Sequence, residues 1–257
     1  MLADSHCHLQ LIDYEKLGQD MVATVQHARD NGVEYLLCVA THLDQAPELQ
    51  AIADKFANVK TSVGLHPNDE VDQEPTIDDF LAAQAHHSVV AIGETGLDYY
   101  RTTENLGRQQ DRFRVHIRAA KQSDKPLIVH TREAKQDTLN ILREEHADTV
   151  GGVLHCFTED LDMALQALEL NFYISFSGII TFKNAVQIQH VAQNIPLDKI
   201  LIETDCPFLA PDPLRGHINQ PVNVKYVAEY IAKLRGEDFE TVAEQTTKNY
   251  KKLFKIL

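Results

Sequence analysis

The amino-acid sequence predicts an α/β protein of one domain, a (β/α)8 TIM barrel spanning residues 1–257. Three observations carry that prediction. Short β-branched apolar runs alternate with longer segments of helical periodicity, the pattern of repeated strand–helix units on a parallel sheet. Eight such runs fit into 257 residues, a length that single barrels commonly occupy. Residues with ligand or acid–base chemistry recur at the ends of five runs, on the rim where such barrels build their sites.

The first run covers residues 2–7 in the opening MLADSHCHLQ and leads into His6 and His8. Alternate strand residues share a face, so the two histidines would point one way and Cys7 the other. Paired imidazoles suit a metal, although an isolated pair serves equally well as a polar strand end. Runs near 34–40 and 59–65 supply the second and third strands, and His66 in GLHP ends the third. The fourth, near 89–93, leads into GETGLD and would place Glu94 at its tip. A helix over 105–122 separates it from the fifth, 127–130, which ends in His130. Arg132 then opens a helix over 133–146. The sixth run, 151–155, ends in His155 and precedes a helix over 160–169. The seventh, 172–175, is followed by a helix over 184–193, and the eighth, 199–204, ends ILIETD with Glu203 and Asp205. A proline-rich loop over 206–221 is long for a strand–helix connection, which marks it as functional. Helices over 222–235 and 238–254 complete the outer layer.

Six potential ligands, His6, His8, Glu94, His130, His155 and Asp205, thus come from five strands to one rim. Each alone has an ordinary explanation as a strand-end polar group or helix cap. Coincidence at five strands is harder to sustain. A mixed imidazole and carboxylate set suits zinc or manganese better than a pure magnesium cage. Asp205 is placed to touch a metal with one oxygen and take a proton from water with the other, with Glu203 supporting it one layer deeper.

Composition narrows the function further. The apolar fraction is 44%, and no run approaches the roughly 20 apolar residues of a membrane span. The N-terminus lacks a secretory pattern, and cysteines 7, 38, 156 and 206 show no paired spacing, so a cytoplasmic setting is expected. Cys7 and Cys156 are expected to pack beneath the helices, away from their neighbouring histidines. No membrane partner or obligate protein partner is evident. With a net charge of −14, binding to nucleic acid must rely on local positive charge or bound cations. Arg132 could grip a phosphate at a helix start, or pair with Glu133 or Asp137 instead. Of the basic run Arg101, Arg108, Arg112, Arg114, Arg118 and Lys121, most would lie on a solvated helix face, leaving Arg101 as a candidate for substrate contact. Acidic residues between 69 and 79 disfavour a long duplex and favour a strand end or short single strand.

The segments DSHCHL, GLHP, GETGLDYY, VHTRE, LHCF, SGIITFKNA and ETDCPFLAP, in this order and spacing, resemble the TatD family of metal-dependent deoxyribonucleases, within the amidohydrolase-like superfamily. The resemblance spans essentially the whole chain. It implies that His6, His8, Glu94 and Asp205 hold one divalent ion and that Glu94, His130 and His155 hold a second, with Glu94 bridging. The ions would be zinc, manganese or magnesium and the substrate DNA, and by their place on the same rim His66, Arg132 and Arg101 are expected to bind it. The chain departs from the family at RGHINQPVNV, where His217, Ile218 and Gln220 stand in place of further basic residues and a glutamate. That departure keeps open an alternative reading as a hydrolase of a small amide, lactone or ester.

Overall fold

The structure, a computed structural model, describes residues 1–256. Eight parallel strands lie in sequence order: β1 (Leu2–Cys7), β2 (Val33–Cys38), β3 (Val59–Val63), β4 (Val89–Asp98), β5 (Leu127–Arg132), β6 (Gly152–Leu154), β7 (Phe172–Phe176) and β8 (Ile200–Ile202). Ten α-helices surround them: α1 (Tyr14–Leu17), α2 (Met21–Asp30), α3 (Ala46–Lys55), α4 (Ile77–Ala83), α5 (Leu106–Ser123), α6 (Lys135–Glu144), α7 (Leu161–Glu169), α8 (Val186–Asn194), α9 (Val224–Arg235) and α10 (Phe239–Leu253). Among the described residues, no helix is long and apolar enough to cross a membrane.

Strand alternation divides the core into two layers. Outward residues such as Leu36, Ile92, Val129, Leu154, Ile174 and Ile202 pack against the helices. Inward residues Ala3, Leu37, Val39, Ala91, Ile128, Val153, Tyr173 and Leu201 fill the barrel, and Tyr250 and Phe254 from the C-terminal segment join them. Small and branched side chains predominate inside because an eight-stranded barrel leaves room for little else.

The barrel closes between β8 and β1 without a regular ladder. Beyond the end of β8, Asp205 N donates to His6 O at 2.9 Å and His8 N donates to Cys206 O at 2.8 Å. Asp4 completes the seam: its carboxylate accepts from Thr204 N at 2.9 Å and from the Thr204 hydroxyl. These contacts set the end of the first strand beside Asp205.

One strand differs from expectation in a way that matters for the site. β4 does not stop before Glu94 but continues to Asp98, so Glu94 lies within the strand. Two glycines permit this. Gly96 has φ +132°, and a Cβ there would collide with the carbonyl oxygen of His130. At Gly93, φ +148°, a Cβ would lie 2.5 Å from Ile128 O. Only glycine brings these strands so close in such a conformation. β2, β3, β6 and β8 end one or two residues earlier than the sequence suggests, leaving His155 and Asp205 on the loops just past their strands.

Candidate metal centre

Six side chains from five strands or strand ends converge on Glu94, which is 3% exposed at the centre of the group. Its Oε2 lies 3.4 Å from His6 Nε2. Its Oε1 faces the other way, 2.8 Å from His155 Nε2, 3.2 Å from His130 Nδ1 and 3.5 Å from His66 Nε2. On the Oε2 side, His6 Nε2 and His8 Nε2 are 3.1 Å apart. Asp205 Oδ1 approaches them at 3.7 and 3.3 Å. The carboxylate therefore separates two donor clusters: His6, His8 and Asp205, and His130, His155 and His66.

In four of the five rings the far nitrogen identifies the tautomer; that of His6, Nδ1, is buried without a partner among the described residues. His8 Nδ1 donates to Val39 O at 2.9 Å, leaving Nε2 to turn a lone pair toward His6 and Asp205. His130 Nε2 donates to Asp98 Oδ2 at 3.1 Å, which leaves Nδ1 facing Glu94. His155 Nδ1 lies 3.3 Å from Glu203 Oε1, so its Nε2 is the inward atom. In their neutral forms three rings turn an unprotonated nitrogen inward, an arrangement that fits divalent cations; the surrounding carboxylates favour a proton at that place on His8 and His155, which a cation would replace. His66 behaves differently. Its Nδ1 accepts from Asn68 N at 3.2 Å, which puts the proton on Nε2 and makes the inward atom a donor.

Electrostatics favour positive charge at this spot. Burial alone would raise the Glu94 carboxyl, but the charge of His155 and the hydrogen bonds from His130 and His155 together hold it well below the ordinary carboxylate range. Burial would lower His8, yet its hydrogen bond to Asp205 and the charges of Asp205 and Glu94 together push it up to about 9. Burial pushes His66 down to about 4, consistent with a neutral ring.

Glu203 does not support Asp205. It is fully buried, and its Oε1 accepts from Cys156 N at 2.8 Å besides touching His155. Cys156 also departs from expectation: β6 ends at Leu154, strand alternation no longer applies, and the residue adopts φ +43°. Its sulfur lies 3.2 Å from Ser177 Oγ, within the field of Asp205 and Glu203, and is not packed under the helices. Cys7 does point outward and contacts Leu37 O at 3.3 Å.

Arg132 ends β5 and does not open a helix; it is half-buried and makes no ion pair among the described residues, and Asp137 accepts from Tyr99 and Gln110 instead. Its guanidinium stacks on the Tyr100 ring at 3.8 Å. Arg101 is exposed, with its backbone N–H bonded to Asp98 Oδ1 at 2.9 Å. Arg112, expected on a solvated face, is only 4% exposed. It ties down the acidic loop, donating to Glu74 Oε1 at 2.7 Å and to the carbonyls of His66 and Asp69 at 2.8 Å. Glu74 is therefore a structural partner and not free negative charge. In the divergent loop, Gln220 accepts from Gln19 at 2.6 Å, Ile218 packs on the core and His217 is exposed.

Sequence reasoning passed over Asp98. Its signal was its spacing: Glu94, Gly96 and Asp98 alternate along one strand and share a face.

The profile of the TatD related DNase family matches residues 3–255. The chain is 48% identical over 255 residues to the Escherichia coli metal-dependent hydrolase YcfH, covering 99% of this chain and 96% of that one. It is 30% identical over 244 residues to the 3'-5' ssDNA/RNA exonuclease TatD of Citrobacter koseri, covering 93% and 94% of the two chains. Its backbone is similar to the crystal structure of YJJV, a TatD homologue from Escherichia coli, with a TM-score of 0.92, 27% identity and coverage of 100% and 98%.

Proposed function

The chain belongs to the TatD related DNase family and is a metal-dependent hydrolase, and from that premise we propose that it hydrolyses phosphodiester bonds of DNA at strand ends or in single strands, using two divalent cations held in one barrel unit. The observation that carries this reading is Glu94, with one carboxylate oxygen turned to each donor cluster. His6, His8, Asp205 and Glu94 would hold one cation, and Glu94, His130 and His155 the other. Bound there, zinc, manganese or magnesium supplies positive charge to the phosphate and lowers the pKa of water.

The chain's own residues supply the remainder. The Asp205 carboxylate, 15% exposed at the mouth, accepts the proton of the attacking water. Neutral His66 donates from Nε2 to a phosphate oxygen. Arg132, free of carboxylate partners, neutralises a second oxygen, and Arg101 extends the positive rim outward. Asp98 and Glu203 hold His130 and His155 in their tautomers. The strong net negative charge and the small number of rim cations support an extended strand end over a long duplex. Free thiols at all four cysteines agree with a cytoplasmic setting.

The test compares end-labelled single-stranded DNA with uncharged esters, lactones and amides, each metal being supplied separately to metal-stripped protein. Release of nucleotides from DNA is expected. Turnover confined to esters or amides would overturn the reading.

A further inference from the structure

Aromatic side chains in this protein are almost all covered. Of its eight tyrosines and ten phenylalanines, only Tyr100 and Phe208 are exposed, at 56% and 53%. Leaving such a ring in water forgoes about 2 kcal/mol of burial. Both exceptions lie at the mouth of the metal centre. Tyr100 follows β4 and Phe208 follows β8, strands on opposite sides of an eight-stranded barrel.

Each ring is tied to the site by direct contacts. The Phe208 ring meets His8 edge-on, with centroids 6.3 Å apart. Tyr100 N donates at 3.1 Å to Asp98 Oδ1, whose other oxygen holds His130. Arg132 covers one face of Tyr100 at 3.8 Å, and the exposure of the ring leaves surface available to a ligand. A phosphate between the clusters would therefore have a flat apolar ring on either flank and a guanidinium beside one of them. A single strand presents that combination, a charged linkage between two planar bases.

We propose that Tyr100 and Phe208 are stacking platforms for the nucleobases on either side of the phosphate, an inference that rests on the nuclease reading. They recognise the π-face of a base and so tolerate any sequence. Stacking on the outside of Tyr100 extends the column that Arg132 begins.

The test measures binding of a short phosphorothioate single strand, which resists hydrolysis, and of the same strand with abasic sites at the two flanking positions. The metal-loaded wild type should bind the base-bearing strand more tightly. Phe208→Ala should weaken that binding by about 5-fold to 100-fold and leave abasic binding unchanged, and Tyr100→Ala, which also removes the ring under Arg132, should weaken the base-bearing strand by that factor beyond any loss on the abasic strand. Phe208→Trp and Tyr100→Trp should restore it, and unchanged metal content and circular dichroism confirm intact barrels. Losses equal on both strands, or no loss on either, overturn the stacking assignment while the nuclease reading stands. A wild type that binds neither strand overturns the nuclease reading and this inference together.

Discussion

Asp98→Asn changes one atom and should disable half of the proposed metal centre. The native carboxylate meets four donors: Oδ1 accepts from Tyr100 N at 3.1 Å and Arg101 N at 2.9 Å, and Oδ2 from His130 Nε2 at 3.1 Å and Asn68 Nδ2 at 2.9 Å. No orientation of an amide satisfies them, because its NH2 must face one pair of donors. If it faces His130, the ring has to move its proton to Nδ1, the nitrogen turned toward Glu94, and the lone pair for the cation is gone. Orienting partners of this kind are worth about 10-fold to 100-fold in metal affinity. Two charge-assisted bonds lost at a site only 1% exposed also cost about 3 kcal/mol, or about 5 °C in Tm for a chain of this length. Calorimetric titration of metal-stripped protein with Mn2+ should show one binding event weakened by that factor and the other, at His6, His8 and Asp205, within about 2-fold of wild type. Two unchanged events would refute the assignment of His130 Nδ1 as a ligand.

Three further outcomes follow from other parts of the structure. Asp205→Asn should lower kcat by about 10²-fold to 10⁴-fold with metal content and Tm changed far less, and near-normal turnover would assign the proton to another group. Arg132→Ala should reduce turnover of DNA much more than turnover of an uncharged ester by the same centre; equal losses would show that the arginine only supports Tyr100. His116 is buried, accepts from Leu65 N at 3.0 Å and has Nδ1 2.8 Å from Arg112 O, so the fold requires its neutral form, and burial pushes its pKa down to about 4. An unfolded histidine titrates near 6.5, so the unfolded chain binds the extra proton first, and stability present above that pH is lost as pH falls toward 4, by about 3 kcal/mol in all. Urea unfolding across this window should show a shallower pH slope in His116→Gln, whereas identical slopes would exclude the linkage.

The barrel was legible because its strands are mostly buried and read as apolar, largely β-branched runs, each followed by a helical period. The convergence of strand-end histidines and carboxylates was legible only as a set: each alone serves as well as a polar cap, but five runs ending this way place them on one rim. Three features were hidden. The continuation of β4 through Gly96 runs against strand propensity and makes sense only once the close approach to the His130 carbonyl is seen. The burial of Arg112 could not be separated from its solvated neighbours, because Glu74 and the loop carbonyls that receive it are distant in sequence. The barrel seam also escaped notice, since Asp4 meets Thr204 across almost the entire chain. The divergent loop is clearer in three dimensions. Gln220 and Ile218 serve its packing, which leaves exposed His217 as the one altered residue open to a ligand.

The central claim is that one carboxylate, Glu94, joins two cation sites. Electron paramagnetic resonance of the Mn2+-loaded protein tests it most directly, because spins bridged by a carboxylate couple and isolated ions do not. The account predicts two equivalents of Mn2+ per chain with an exchange-coupled spectrum that reverts to a single uncoupled ion in the His6→Ala, His8→Ala double variant. One equivalent in the wild type, or two with no coupling, would contradict it.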